Sequence, residues 1–150
     1  MRSGTWPSLA IVALAAALAT VRDFLFVNLN SELHFRQHRK ALNYAHSQFK
    51  AWAQAWSTTE LCSLKWVLAF CFIGFNLLLA IALARVRFGD HRYRMAVILG
   101  FVLLGAAAFS AQLVSPYLTG FGTLATKLLH ALQYPVLLLV IWAASWIPRR

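Results

Sequence analysis

Acidic residues are the scarcest feature of this 150-residue chain, which has four Asp and Glu against 14 Lys and Arg. Charged residues make up 12% of the sequence and apolar residues 61%, against about 25% and 45–50% in soluble domains. This composition excludes an ordinary soluble domain. A net charge of +10 would suggest nucleic acid in a soluble protein. Here the bases stand at the ends of apolar runs, where they meet lipid headgroups. We therefore expect a lipid bilayer, and no nucleic acid, as partner.

Cysteine is also scarce, with Cys62 and Cys71 the only two. They stand nine residues apart in one predicted helix, about 14 Å along its axis, which is too far for a disulfide between them. The sequence has neither a CxxC motif nor a mixed Cys and His spacing typical of metal sites. His34 and His38 lie four apart on one helical face and form an incomplete metal pair. We therefore predict no metal ion and no cofactor.

A basic turn at residues 85–94, with four arginines, separates two long apolar runs. The run 66–84 has Asn76 as its only strongly polar residue, and the run 95–114 has two polar interruptions. At about 1.5 Å per residue each run is roughly 30 Å long, which matches the hydrocarbon layer of a bilayer. Four arginines between two spans are typical of a cytoplasmic turn.

Two further apolar runs complete the prediction of an all-α integral membrane protein with four transmembrane helices. The spans are expected over residues 6–27, 61–84, 95–115 and 124–147. Pro135 lies inside the fourth span and removes one backbone hydrogen bond, so a kink is expected there. A cleaved signal peptide, with 17–19 as its cleavage signature, is the rival interpretation of the first run. The apolar residues 24–27 that follow favour a retained helix.

Residues 28–60 form the only long polar connection, and they carry a stripe of mostly apolar side chains at helical spacing. A helix over residues 31–56 would align Phe35, His38, Leu42, Ala45, Phe49, Trp52 and Trp56. With basic residues mostly off the stripe, this predicts an amphipathic interfacial helix in the headgroup plane, between the first and second spans. The alternative is that the stripe packs on the protein's own spans or on a partner. Ser57 and Glu60 then fit a capping box that starts the second span.

The distribution of basic residues predicts the orientation of the spans. With four spans, seven Lys and Arg fall on each side of the membrane. Four of them crowd into the turn 85–94, whereas the opposite loop spreads four over residues 28–60. Because short arginine-rich turns stay in the cytoplasm, we expect both termini inside and residues 28–60 outside.

Polar residues near the outer ends of the predicted spans form the candidate site. They are Arg22, Asp23, Cys62, Lys65, Gln112, Lys127, His130, Gln133 and Tyr134. An ionisable side chain inside a membrane costs about 2 kcal/mol or more unless it is paired, so such residues are functional candidates. The plainer interpretation is that span ends are naturally polar. Asp23, the one acid near these bases, is predicted to pair with Lys65, Lys127 or Arg22.

Two functions follow from these residues alone. Cys62, His130 and Arg22 share one predicted edge of the membrane and would make a thiolate nucleophile, its base and an oxyanion partner, as in a membrane thiol transpeptidase or protease. The other function is a small oligomeric transporter or channel. Against it, the sequence places no acid deep in any predicted span to carry a proton or a cation.

Three short segments carry a resemblance to a known family: 22–30 (RDFLFVNLN), 43–47 (NYAHS) and 64–66 (LKW). They resemble the small four-span membrane proteins associated with bacterial exosortase systems, in particular the exosortase X-associated type. Such proteins accompany a membrane transpeptidase that processes C-terminally tagged, exported proteins. The resemblance implies a non-enzymatic accessory or assembly subunit in the bacterial inner membrane, with a larger exosortase-like membrane protein, or another copy of itself, as partner.

Overall fold

Helices make up all the regular secondary structure in the described part of the chain. The computed structural model describes residues 5–38, 44–89, 91–118 and 120–144, with side chains for all of these except 91 and 144. The helices are α1 Thr5–His38, α2 Ser47–Ala53, α3 Thr58–Phe88, α4 His91–Val114, α5 Phe121–Gln133 and α6 Val136–Ala144. The prediction of an all-α protein is therefore confirmed.

Three of these helices, α1, α3 and α4, are long and apolar enough to cross a membrane, and the bent pair α5 and α6 would together make a fourth span. The protein is thus an apolar helical membrane protein by length and composition. α1 has 34 residues and α3 has 31. At about 1.5 Å per residue both exceed the roughly 30 Å hydrocarbon layer by several turns. Both helices are therefore long enough to carry polar residues beyond that layer.

The region predicted as one amphipathic helix over 31–56 differs in the structure. α1 continues to His38, residues 44–46 are non-helical, and only Ser47–Ala53 forms a separate helix. Leu42 of the predicted stripe lies outside the described residues. The prediction of a single helix over residues 31–56 is therefore wrong, although the first part of this region and residues 47–53 are helical.

Two side chains of α1 explain the non-helical backbone at 44–46. The Ser31 hydroxyl accepts the Tyr44 N–H at 3.2 Å, and Asn28 Oδ1 accepts the His46 N–H at 2.6 Å. In a continuing helix these N–H groups would bond to carbonyls four residues earlier. They bond instead to a helix already formed, so the chain turns and restarts at Ser47.

The capping box predicted at the start of the second span is present. The Ser57 N–H donates to Glu60 Oε2 at 2.7 Å, and the Glu60 N–H donates to Ser57 Oγ at 3.2 Å. These two bonds satisfy backbone donors that the first turn of α3 would otherwise leave open. The local sequence thus sets where α3 begins.

The chain divides into two compact units. We call Leu18–Phe72 the loop unit, and Met1–Ala17 with Ile73–Arg150 the span unit. One core cluster of the loop unit contains Leu29, Leu33, Ala53 and Leu61, against which Phe49 and Trp56 pack. A second contains Phe26, Ala69 and Phe72. Two aromatic residues of the predicted stripe thus pack on the protein's own helices, which favours the second interpretation of that stripe.

In the span unit the core is built from small and large side chains in alternation. Ala15 packs with Leu83 and Leu138, and Ala80 packs with Phe101 and Leu132. Alanine lets neighbouring helices approach closely, which strengthens the van der Waals packing between them. This packing matters in lipid, where burial of apolar surface gives no driving force for helix association.

Pro135 divides the predicted fourth span into α5 and α6, which meet at an angle of 61°. Proline has no N–H and its ring clashes with the carbonyl four residues earlier, so the helix cannot continue through it. Helical bonding stops with the Tyr134 N–H on the His130 carbonyl at 3.0 Å, and resumes with the Leu139 N–H on the Pro135 carbonyl at 2.9 Å. The predicted kink is confirmed.

The start of α5 allows a test of backbone strain alone. Gly120 caps α5 with φ of +100°, and an added Cβ there would meet no atom within 4 Å. We expect Gly120→Ala to lower the free energy of unfolding by about 1–2 kcal/mol because an L-residue is strained at this φ. Gly105→Ala, inside α4 and equally open, is the matched control and should be neutral or slightly stabilising. Thermal unfolding in detergent measures both variants. Equal effects of the two substitutions would contradict the strain expected at the positive φ of Gly120.

Candidate functional site

A polar stripe on α1 organises the loop unit. Asn28, Glu32 and Arg36 recur every four residues and therefore share one face of the helix. Asn28 and Glu32 are buried and Arg36 is half-buried. Buried polar groups need partners. Asn28 and Arg36 find theirs at the two ends of α2, and Glu32 pairs with Arg36.

The first end of α2 is held by Asn28. Its amide NH₂ donates to the Phe24 carbonyl of its own helix at 2.7 Å, and its amide oxygen accepts the N–H of His46 at 2.6 Å. His46 is the N-cap residue of α2 and makes no side-chain capping bond of its own. The side chain of Asn28 thus positions the start of α2.

The second end of α2 is held by the Arg36 guanidinium. It donates to the carbonyls of Ala53 at 2.8 Å and Trp56 at 2.6 Å. Its Nε donates to Glu32 Oε1 at 2.7 Å. A cation at a helix C-terminus also interacts favourably with the helix dipole. We call Asn28, Glu32 and Arg36 together the α2 clamp.

The clamp keeps a helix too short to form by itself. α2 has seven residues, and isolated helices below about 12–15 residues are marginal even in favourable sequences. The clamp was not predicted, because the periodicity of residues 31–56 was interpreted as a separate helix. The spacing of Asn28, Glu32 and Arg36 was the available signal, since three hydrogen-bonding side chains every four residues just past an apolar span form one helical face.

Three aromatic side chains lie next to one another on the clamped segment. The Trp52 ring stands between Phe49 at 5.3 Å and Trp56 at 5.2 Å, measured between ring centroids. Trp52 is 45% exposed and Tyr44 is 82% exposed, and Phe35 of α1 is half-buried. The loop unit therefore presents large aromatic surfaces on a backbone that the clamp holds in place.

Four residues of the predicted polar cluster lie in the loop unit. Arg22 is only 4% exposed, pairs with Asp23 at 2.8 Å, and places its guanidinium carbon 4.7 Å from the centre of the Phe26 ring. The prediction that Asp23 pairs with a nearby base is confirmed for Arg22. Cys62 packs, half-buried, against the apolar cluster around Leu61, and Lys65 is half-buried.

The other five residues of the predicted cluster lie in the span unit. The rings of His130 and Tyr134 meet edge to face at 6.4 Å. Gln133 is buried, whereas Gln112 and Lys127 are exposed. Four residues of the predicted cluster thus belong to the loop unit and five to the span unit. The predicted set of Cys62, His130 and Arg22 draws on both units and stays a prediction.

A buried polar contact in the span unit was missed by sequence reasoning. The Asn76 side chain of α3 donates through Nδ2 to the Gln133 carbonyl at 2.6 Å. Gln133 is the last residue of α5, so its carbonyl lies at the helix end next to Pro135. The signal was present, since Asn76 is the one strongly polar residue in the run 66–84.

The two histidines at the end of α1 stack on each other, with ring centroids 4.4 Å apart. His38 Nδ1 also lies 3.2 Å from the His34 carbonyl. Across residues 5–38, 44–89, 91–118 and 120–144, no group of three or more His, Cys, Asp or Glu side chains could hold a metal ion.

The fold and the clamp together define a small helical membrane protein in which polar side chains of α1 hold the short helix α2 at both ends. No protein-family model, curated protein or solved structure matches the chain.

The clamp predicts a large effect at one residue. Arg36→Met keeps much of the side-chain length but removes three hydrogen bonds and leaves the Glu32 carboxylate buried without its cation. We expect the free energy of unfolding to fall by about 3 kcal/mol. We also expect the backbone amides of Ser47–Ala53 to exchange hydrogen faster. Hydrogen-exchange mass spectrometry in detergent measures the second effect. Gln37→Met, at the exposed neighbouring position, should change neither, and unchanged exchange in Arg36→Met would exclude the clamp.

Proposed function

We propose that this chain is a non-enzymatic accessory or assembly subunit of a bacterial envelope protein-sorting system of the exosortase type. It lies in the inner membrane with both termini in the cytoplasm. One observation carries the proposal: two of the three segments that resemble the exosortase-associated family contact each other. Asn28 of the segment 22–30 accepts the His46 N–H of the segment 43–47 at 2.6 Å. The rings of Phe24 and His46 lie 6.2 Å apart.

The clamp supports binding rather than chemistry as the role of the loop unit. Asn28 and Arg36 are engaged with backbone groups at and next to the ends of α2, and Glu32 pairs with Arg36. What remains outward are aromatic side chains such as Trp52 and Tyr44, a residue type enriched at the centres of protein interfaces. A surface that is ordered before binding loses less conformational entropy on binding. A larger membrane protein of the sorting system is the partner that fits this surface.

A second candidate, a small oligomeric transporter or channel, has one specific observation in its favour. The pair α5 and α6 is a broken apolar helix, and the buried Asn76 side chain reaches the carbonyl at the break. Broken helices with open backbone carbonyls line substrate and ion sites in many secondary transporters.

The accessory role predicts a specific partner. A tagged chain expressed at its native level should recover, from native membranes in mild detergent, a larger multi-span membrane transpeptidase. Arg36→Met should reduce that recovery about tenfold, the effect of about 1.4 kcal/mol on binding, whereas Gln37→Met should not. Deleting the gene should leave C-terminally tagged exported proteins unprocessed. The proposal fails if the chain is recovered alone and processing continues in the deletion strain.

The transport candidate predicts flux by the purified chain in liposomes. Ion or solute flux above that of protein-free liposomes is expected, and Asn76→Leu should abolish it because the buried amide is lost. Asn28→Leu, which changes the loop unit only, is the matched control and should retain flux. Flux equal to that of empty liposomes, with correctly folded protein, would reject this candidate.

A further inference from the structure

The side-chain amide of Asn76 uses its nitrogen in a hydrogen bond but not its oxygen. Its Nδ2 donates to the Gln133 carbonyl, and the residue is 4% exposed. Its Oδ1 is buried and has no hydrogen-bond partner among the residues that the structure describes. An unsatisfied buried acceptor costs about 1–3 kcal/mol. A hydrogen-bond donor from outside the chain would therefore be stabilised at this atom.

Pro135 leaves a second acceptor near the end of α5. In a continuous helix the Ala131 carbonyl would accept the N–H of residue 135, but proline has none. Ala131 stands two residues before Gln133, whose carbonyl Asn76 contacts. Leu132, the residue between Ala131 and Gln133, packs with Phe101 and Leu137 in an apolar cluster. Asn76 Oδ1 and the Ala131 carbonyl are therefore two oxygen acceptors near the end of α5.

We propose that the break between α5 and α6 binds one water molecule, which donates one hydrogen bond to Asn76 Oδ1 and the other to the Ala131 carbonyl. A water molecule has two O–H donors, which matches the two acceptors. A metal cation would need about six oxygen ligands, more than this break offers. Ordered waters commonly satisfy the backbone groups that proline frees within membrane helices, and buried waters make about two to four hydrogen bonds.

The bound water links α3 to both halves of the broken helix. Asn76 of α3 contacts the end of α5 directly, and the water extends that contact to the carbonyl that Pro135 deprives of its donor. Straightening the helix would not satisfy the Ala131 carbonyl, because residue 135 has no N–H to donate. The bound water does satisfy it, and so stabilises the bent geometry. This inference is independent of both proposed functions.

The test detects the water next to Asn76 in the full-length protein. In detergent micelles with ¹⁵N-labelled asparagine, the Asn76 side-chain NH₂ should show a rotating-frame Overhauser cross-peak to water. Asn28, whose amide oxygen is occupied by the His46 N–H, is the internal comparison and should show a weaker one. Pro135→Ala restores a donor for Ala131 and should abolish the Asn76 cross-peak.

Three results would overturn the proposal. One is the absence of a water cross-peak to Asn76 in the unmodified protein. Another is a cross-peak of unchanged intensity in Pro135→Ala with the Asn76 resonance still in its folded position. The third is a shift of the Asn76 resonance when sodium is replaced by choline, which would assign the site to a cation instead of water.

Discussion

Backbone hydrogen bonding at helix ends is the constraint on which the rest of this structure depends. Within lipid or an apolar core an open N–H or C=O group costs several kcal/mol. The protein meets this constraint with polar side chains from its long helices. Asn28 accepts the N–H of the residue before α2, Arg36 donates to the carbonyl that ends α2 and to that of Trp56 beyond it, and Asn76 donates to the carbonyl that ends α5. Each of these three helix ends thus has a partner side chain distant in sequence.

The hydrogen bonds between side chains and helix ends serve different purposes in the two units. In the loop unit the α2 clamp orders a segment that would otherwise be a flexible connection, and it leaves aromatic rings facing outward. In the span unit the single contact of Asn76 accompanies a break in an otherwise apolar helix. The first arrangement suits a binding surface, and the second suits a site for a small polar molecule. In both arrangements polar atoms lie in apolar surroundings, where a hydrogen bond is stronger than in water and an unpaired polar group costs more.

Two ion pairs of the loop unit are local in sequence. Arg22 and Asp23 are adjacent in sequence, and Glu32 and Arg36 lie one turn apart on α1. Such pairs avoid the cost of an isolated buried charge, and they form as soon as α1 does. This explains why a chain with few acids has two of them on its first long helix. The acids partner the bases that the clamp and the apolar span bring inside.

Local features of this protein could be predicted from its sequence. The apolar runs define the long helices, the capping box of Ser57 and Glu60 starts α3, and Pro135 breaks the last apolar run, because each depends on residues within about one turn of each other. The course of residues 31–56 was decided by tertiary structure. The Asn28 oxygen captures an N–H 18 residues away, and Arg36 captures carbonyls 17 and 20 residues away. Helical periodicity carries no information about such distant partners, so the stripe was assigned to one continuous helix. The same reason hid the contact between Asn76 and Gln133, which are 57 residues apart and meet only once the helices have packed.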